Sequence, residues 1–265
     1  MVEGRIVIDG SQVLTELIEI VAQDPSQFEI LRDARQDSVV VRALPRDAES
    51  VIVKLWRKPG TKSAIGRAIR VHSAYREWTA LGCLHAAGIP VPRPLAILRL
   101  KAQVSGFTDA IAMDDLGECI TAMQFIKQLV KAGRLDELSS LNDVIVDMTM
   151  RILATGIVDT DHSVVNMLVD RQERLHRIDL ELARRLPVIS MFDHRKGRMV
   201  GKLLSSYVFA VQPDVMLIDA FVDLVLCRMD LPASVSAEAL GYVRTALECQ
   251  RRLYGIDVRA SSIRS

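Results

Sequence analysis

The chain has 265 residues, a formal net charge of +1 and 49% hydrophobic residues. That length allows one or two domains, each with a proper core. The near-neutral charge argues against a dedicated nucleic-acid binder. The lack of an apolar run of about 18 residues argues against a membrane-spanning helix, and Met1-Val2-Glu3-Gly4-Arg5 lacks the basic start and apolar core of a secretory signal.

In chain order, Leu14, Leu17, Ile18 and Val21 predict a helix that enters after Ser11 and ends near Pro25. Phe28–Leu31, Val39–Leu44 and Val51–Trp56 are β-rich runs, the last ending at Pro59-Gly60. A helix is predicted over 63–87, stopped by Gly88-Ile89-Pro90-Val91-Pro92, a glycine past the helix end followed by prolines. Strands follow at Leu95–Leu100 and Ala110–Met113, and Asp114-Asp115-Leu116-Gly117 reads as a linker. The fold class is α+β with two lobes: residues 1–113 form a small β-rich lobe and residues 114–265 a mostly helical one. In the second lobe, Leu138, Leu141, Ile145, Met148 and Ile152 share one helical face, and residues 196–211, 214–229 and 236–252 form three more helices. The tail from Arg259 is expected to fray.

Two stretches stand out by charge and polarity. Between Ser50 and Glu77 there is no acidic residue, while Lys54, Arg57, Lys58, Lys62, Arg67, Arg70 and Arg76 all fall there. Such a run fits a solvated helix face, or a platform for an anionic substrate or membrane surface. The second stretch runs from Asp159 to Asp179. Asp161 and Asn166 are five positions apart; an apolar run, a turn and a second strand ending in Asp179 follow. A carboxylate, an amide at +5 and another carboxylate after a hairpin is how kinase-fold enzymes place one base and two Mg²⁺ ligands around ATP. Asp161 is then the hydroxyl-orienting base, and Asn166 and Asp179 supply oxygen to a hard cation. The same residues also fit a polar loop of turn formers, with Asp179 paired at the surface to Arg177, Arg184 or Arg185.

Lys54 sits near the end of the apolar strand Val51-Ile52-Val53-Lys54, and Glu77 is the first acid after the basic stretch. A kinase-type lysine reaches the α- and β-phosphates and is held by a glutamate on the next helix, which makes Glu77 its natural partner. His162 follows the candidate base and is either a substrate contact or a structural hydrogen-bond partner; Glu181 is either a supporting or an exposed acid. Ser163 has no base at a familiar spacing, which argues against a hydrolase triad. Cys83, Cys119, Cys227 and Cys249 form no C-x-x-C pair and read as reduced, mostly buried thiols of a cytoplasmic protein.

The order of motifs resembles the protein-kinase-like superfamily. More narrowly it resembles the bacterial lipopolysaccharide kinases, which phosphorylate Kdo or heptose of the lipid A–core. The residues that carry the likeness are Val53-Lys54-Leu55-Trp56, Arg76-Glu77-Trp78-Thr79-Ala80-Leu81, Ala87-Gly88-Ile89-Pro90-Val91-Pro92-Arg93-Pro94, Met113-Asp114-Asp115-Leu116-Gly117, Asp161 to Asn166, and Ile178-Asp179-Leu180-Glu181. The resemblance implies ATP and Mg²⁺ as cofactors. It places Lys54 on phosphate beside Glu77, the backbone of Asp114, Asp115 and Leu116 on adenine, Asp161 in catalysis, and Asn166 and Asp179 on metal. All of these converge between the lobes.

Three departures qualify that pattern. Residues 32–38, in the phosphate-loop region, contain no glycine, although a backbone approaching phosphate closely usually wants one; Arg32 or Arg35 is the alternative grip. Asp159 stands where the family carries an architectural histidine. Leu180-Glu181 replaces Phe-Gly, and no A-P-E segment follows, which argues against a regulated protein kinase. The expected function is ATP-dependent phosphorylation of a hydroxyl on a sugar or lipid-linked sugar. The protein would be cytoplasmic, with possible peripheral contact at the inner membrane through an anionic glycolipid. The alternatives are a catalytically silent kinase fold serving as a binding or regulatory module and, behind it, a protein serine/threonine kinase.

Overall fold

Apolar residues in the runs 38–43, 51–57, 94–99 and 107–114 build the core of the first sheet. The computed structural model describes residues 12–34, 38–44, 49–57, 73–100, 106–186 and 193–254. The middle of the glycine-free segment, the connection at Pro45, the stop at Pro59-Gly60, most of the basic run with the start of its helix, and the tail from Arg259 lie outside the described residues. By contacts the chain divides into two units, one running to Ala86 and resuming over Val91–Gly117, the other made of Ala87–Pro90 and Glu118 onward.

In the first unit, helix α1 (Gln12–Gln23) precedes strands β1 (Glu29–Ala34), β2 (Ser38–Ala43) and β3 (Val51–Arg57), then helix α2 (Ser73–Ala86) and strands β4 (Pro94–Arg99) and β5 (Phe107–Asp114). The five strands form one antiparallel sheet in the order β1-β2-β3-β5-β4. Successive side chains on a strand point to opposite faces. On one face Val39, Val41, Ala43, Val51, Val53, Leu55, Ala96, Leu98, Ala110 and Ala112 form a core with Leu17, Ile18 and Val21 of α1. By the same alternation Lys54 lies on the opposite face, on the central strand β3.

The second unit begins with β6 (Cys119–Thr121) and helix α3 (Ala122–Ala132), neither of which the sequence pattern announced. Thr121 and Gln124 form a reciprocal capping box at the start of α3, and Gly133 closes it in a left-handed conformation with φ 69°. The long helix α4 (Leu135–Ala154) buries Leu138, Leu141, Ile145, Met148 and Ile152, the face read from spacing. Short strands β7 (Ile157–Asp159), β8 (Met167–Asp170), β9 (Leu175–Arg177) and β10 (Ala183–Arg185) follow, then helices α5 (Asp193–Val211), α6 (Val215–Met229) and α7 (Ala233–Tyr254). β6, β8 and β9 form one antiparallel sheet, and β7 pairs with β10.

Two features fix the helical packing. A Cβ added at Gly197 or Gly201 of α5 would stand 2.6 Å from Glu238 and 2.5 Å from Tyr242 of α7, so the two glycines permit the close approach of these helices. Tyr207 stacks on Phe221 at 3.8 Å and accepts a hydrogen bond from the Asn142 amide at 2.9 Å, while burial pushes its hydroxyl pKa up to about 12. Among the described residues no helix is long and apolar enough to cross a membrane. One expectation is corrected: Cys83 and Cys119 are half-buried and Cys227 and Cys249 exposed, so the thiols are not mostly buried.

Candidate active site

In the first unit, Lys54 and Glu77 form a buried ion pair. The lysine Nζ lies 2.8 Å from Glu77 Oε2, and the residues are 4% and 2% exposed. Helix α2 supplies the glutamate and packs on β4 and β5. The Lys54 ammonium also sits 5.0 Å from the centre of the Trp56 ring, a cation–π distance. A buried ion pair costs desolvation that its Coulomb attraction barely recovers, so stability alone is a poor reason to keep one in the middle of a sheet.

The end of β5 is tied down by charge. Asp114 pairs with Arg93 at 3.2 Å. Asp115 accepts from Arg42 Nε at 2.6 Å, the Ser50 hydroxyl at 2.7 Å and the Gly117 amide at 2.8 Å. Burial pushes the Asp115 carboxyl up, but the Ser50 hydroxyl and the Arg42 guanidinium outweigh it and hold the group below its ordinary value. The side chain of Asp115 is therefore spent on holding the 115–117 turn against β2.

The second unit assembles Asp161, Asn166 and Asp179 from three adjacent pieces of chain: the loop after β7, the short 3₁₀ turn Val164–Asn166, and the segment after β9. The Asn166 amide nitrogen donates to the carbonyl of Asp161 at 3.0 Å and to its carboxylate at 2.9 Å. Both partners are acceptors, so the amide orientation is fixed and Oδ1 points away from Asp161. That oxygen is the atom a magnesium ligand needs. The Ile178 amide donates to the Asn166 carbonyl at 3.0 Å, which sets the backbone before Asp179 against the same turn. Asp179 itself has φ 58°, the left-handed region that a non-glycine residue seldom occupies and that recurs at functional sites. The expected strand therefore ends earlier than read: β9 stops at Arg177, and Asp179 lies two residues beyond it.

Beneath these residues lies a buried polar network. Arg177 is fully buried and pairs with Asp159, also fully buried, at the end of β7. Arg177 also donates to the carbonyls of Asn166, Ile178 and Asp161, and through Nε to His162 Nδ1 at 3.2 Å. Asp159 in turn accepts from the Asp161 amide at 3.0 Å. Burial pushes the Asp159 carboxyl above its ordinary value, against the pull of the Arg177 guanidinium. The surface pairing of Asp179 with Arg177 is thus corrected: Arg177 is inside, on Asp159, because its five N–H donors meet buried acceptors there. No local signal in the sequence announced this: β9 reads Leu175-His176-Arg177, and only Asp159, at the position of the family's histidine, stood out.

His162 resolves in favour of structure. Thr149 donates its hydroxyl proton to the Ile145 carbonyl at 2.7 Å, so its oxygen accepts from His162 Nε2 at 2.9 Å. The guanidinium can only donate, so Nδ1 must be bare. The imidazole is therefore neutral, and burial and the nearby Arg177 hold its pKa well below the usual histidine value. An unfolded chain binds a proton below about pH 6.5 that the folded chain refuses, so stability is complete above that pH and falls as pH drops through it. Urea denaturation at pH 7.5 and 5.5 should show wild type losing about 1.4 kcal/mol more than His162→Gln over that interval. Equal losses would show that His162 titrates freely.

The β8–β9 hairpin is held by Asp170, which accepts from the amides of Gln172 and Arg174, from Arg174 Nε at 2.8 Å and from His176 Nε2 at 3.0 Å. Burial opposes ionisation of this carboxyl, but the His176 contact and the Arg174 and Gln172 donors hold it well below the ordinary range. The hairpin thereby delivers Asn166 and Asp179 at the same open end in a fixed register, Met167 opposite Arg177.

Residues 47–183, just over half of the chain, match the RIO domain. The chain belongs to the RIO domain family. The match takes in Lys54, Glu77, Asp161, Asn166 and Asp179. No curated protein matches the chain by sequence. Among solved structures, WaaP in complex with acyl carrier protein aligns over 94% of this chain and 100% of its own, with a TM-score of 0.65 and 16% identity. ROP2 from Toxoplasma gondii, a virulence factor with a protein-kinase fold and no enzymatic activity, aligns over 81% of this chain and 72% of its own, with a TM-score of 0.45 and 14% identity. The WaaP likeness, together with the β-rich first unit and helical second unit, gives this RIO domain protein the expected kinase-like fold. The RIO domain match supports a broadly kinase-like function.

Proposed function

We propose that the protein is an ATP-dependent phosphotransferase that phosphorylates a hydroxyl of a sugar or lipid-linked sugar. Lys54, held by Glu77, binds the nucleotide phosphates, and the backbone of Asp114, Asp115 and Leu116 receives adenine. Asp161 orients the acceptor hydroxyl, while Asn166 and Asp179 hold Mg²⁺. When bound, the metal neutralises charge on the transferring phosphate. The observation that carries the reading is the division of labour in the second unit: Asp161, Asn166 and Asp179 are only half-buried, while Asp159, His162 and Arg177, which hold them, are fully buried. A loop that served packing alone would have no use for a fixed, half-buried carboxylate–amide pair on so expensive a support. We place the protein in the cytoplasm, with an anionic glycolipid at the inner membrane face as a candidate acceptor. The basic run between Ser50 and Glu77 motivates that choice; unchanged liposome binding after charge reversal at Arg67 and Arg70 would remove it.

The glycine-free segment 32–38 favours a second reading, a silent nucleotide-binding module. A thermal-shift titration with Mg²⁺-ATP and a turnover assay over sugar and glycolipid acceptors separate the two. The enzyme reading expects both a shift and turnover. A shift without turnover favours the silent module, and no shift at all sinks both. Lys54→Met alone removes the counter-ion 2.8 Å from buried Glu77, so the informative variant is Lys54→Met with Glu77→Gln. It is expected to keep the fold and to lose about 10²- to 10³-fold in turnover, the usual cost of removing one charge-stabilising donor.

A further inference from the structure

We propose that Arg177 is the positioning residue that sets Asp161, Asn166 and Asp179 in one frame, with Asp159 as its counter-ion; the inference rests on the metal reading of Asn166 and Asp179. The guanidinium has five N–H donors in a rigid plane. Nε meets His162 Nδ1, one terminal nitrogen meets the carbonyls of Asn166 and Ile178, and the other meets the Asp159 carboxylate and the Asp161 carbonyl. Five donors therefore find five acceptors. Three of those acceptors are main-chain oxygens: two belong to Asp161 and Asn166 themselves, and the third belongs to Ile178, the residue before Asp179.

The choice of acceptors is what separates positioning from packing. Apolar side chains in place of both Arg177 and Asp159 could fill the same volume at little or no cost in stability, since a buried ion pair seldom stabilises more than its hydrophobic replacement. An apolar side chain could not fix the direction of three carbonyls. Fixing them fixes the peptide planes that carry the Asp161 and Asn166 side chains and the left-handed backbone at Asp179. The aspartate at 159 completes the device. It neutralises the guanidinium and, through its other oxygen, accepts from the Asp161 amide at 3.0 Å, so the base is held from both sides of its peptide. The departure at 159 and the buried arginine at 177 are thus two halves of one arrangement, 18 residues apart in sequence.

Lysine cannot take over this task, because its three donors radiate from one atom and cannot span five acceptors. Arg177→Lys keeps the charge opposite Asp159, and with it the fold, while releasing the carbonyls. The test measures Mn²⁺ affinity by electron paramagnetic resonance in the presence of a non-hydrolysable ATP analogue, for wild type, Asp179→Asn and Arg177→Lys, each checked for folding by circular dichroism. Supporting groups behind metal ligands typically change affinity by about 10- to 100-fold, so Arg177→Lys is expected to weaken Mn²⁺ binding about tenfold while folded, with kcat falling alongside. The neutral pair Asp159→Asn with Arg177→Gln strands no charge and carries the same readout, so the result does not depend on one variant folding. Wild-type affinity in either folded variant, with Asp179→Asn defective, overturns the positioning role alone. Equal affinity in wild type and Asp179→Asn instead overturns the metal reading on which it rests.

Discussion

Asp161→Asn is expected to lower turnover by about 10²- to 10⁴-fold, the usual contribution of a positioned general base, while leaving Mg²⁺-ATP affinity within about threefold. The substitution is nearly isosteric, and a carboxamide oxygen can still accept from the Asn166 amide, which now donates to the Asp161 carboxylate at 2.9 Å. The loop therefore keeps its shape, since the Asp161 carbonyl contact at 3.0 Å is a main-chain one. What is lost is the negative charge that, in the proposed mechanism, orients the acceptor hydroxyl and takes its proton. A loss of that size corresponds to about 2.7–5.4 kcal/mol of transition-state stabilisation at 1.36 kcal/mol per factor of ten. Steady-state turnover and calorimetric nucleotide titration on both proteins decide it. Turnover within about threefold of wild type would show that Asp161 carries no proton, and the phosphotransfer mechanism would need another base.

Arg177→Met is expected to cost about 3–5 kcal/mol of folding stability, the range measured when one partner of a buried ion pair is removed. Against a typical total of about 5–15 kcal/mol that is a large share. The cost arises because Asp159, fully buried, is left without its counter-charge, and the carbonyls of Asp161, Asn166 and Ile178 lose their guanidinium donors. The pH dependence gives the cause away. Burial already pushes the Asp159 carboxyl up, and removing the guanidinium pushes it further. In the variant the folded state then holds a proton that the unfolded chain has released, so the variant's stability falls as pH rises above about 4. Urea denaturation should therefore show a larger deficit at pH 8 than at pH 5, and adding Asp159→Asn should recover part of it. A deficit that is independent of pH would mean that lost packing, not a stranded charge, is the cause.

Both effects grow from residues that the sequence displayed unequally. Asp161, Asn166 and Asp179 were legible because their spacing is local: a five-residue step and a hairpin of apolar alternation. Lys54 and Glu77 were legible because an apolar strand with a single lysine, followed by a helix whose first acid comes late, is a pattern along the chain. The structure brings the latter two together at 2.8 Å. Arg177 was visible only as one of three arginines near Asp179, and nothing in its neighbours distinguished it from exposed Arg184 and Arg185. The fold followed the same rule. Long amphipathic elements such as α4 and the β2–β3 pair announced themselves. The three-residue strands β6, β7 and β10 did not, because a period cannot be read from so few residues.

The amino-acid order alone determined the succession of sheet and helices and the apolar faces, and it marked the polar residues proposed for chemistry, since each of these is written in periodicity or short spacing. Tertiary structure alone decided which charges are inside. It put Arg177 against Asp159, made His162 neutral and structural, ended β9 before Asp179 and turned the Asn166 amide so that its oxygen points away from Asp161. Those outcomes depend on burial and on acceptors brought together from distant parts of the chain, and the energy of a buried charge is set by its surroundings in space.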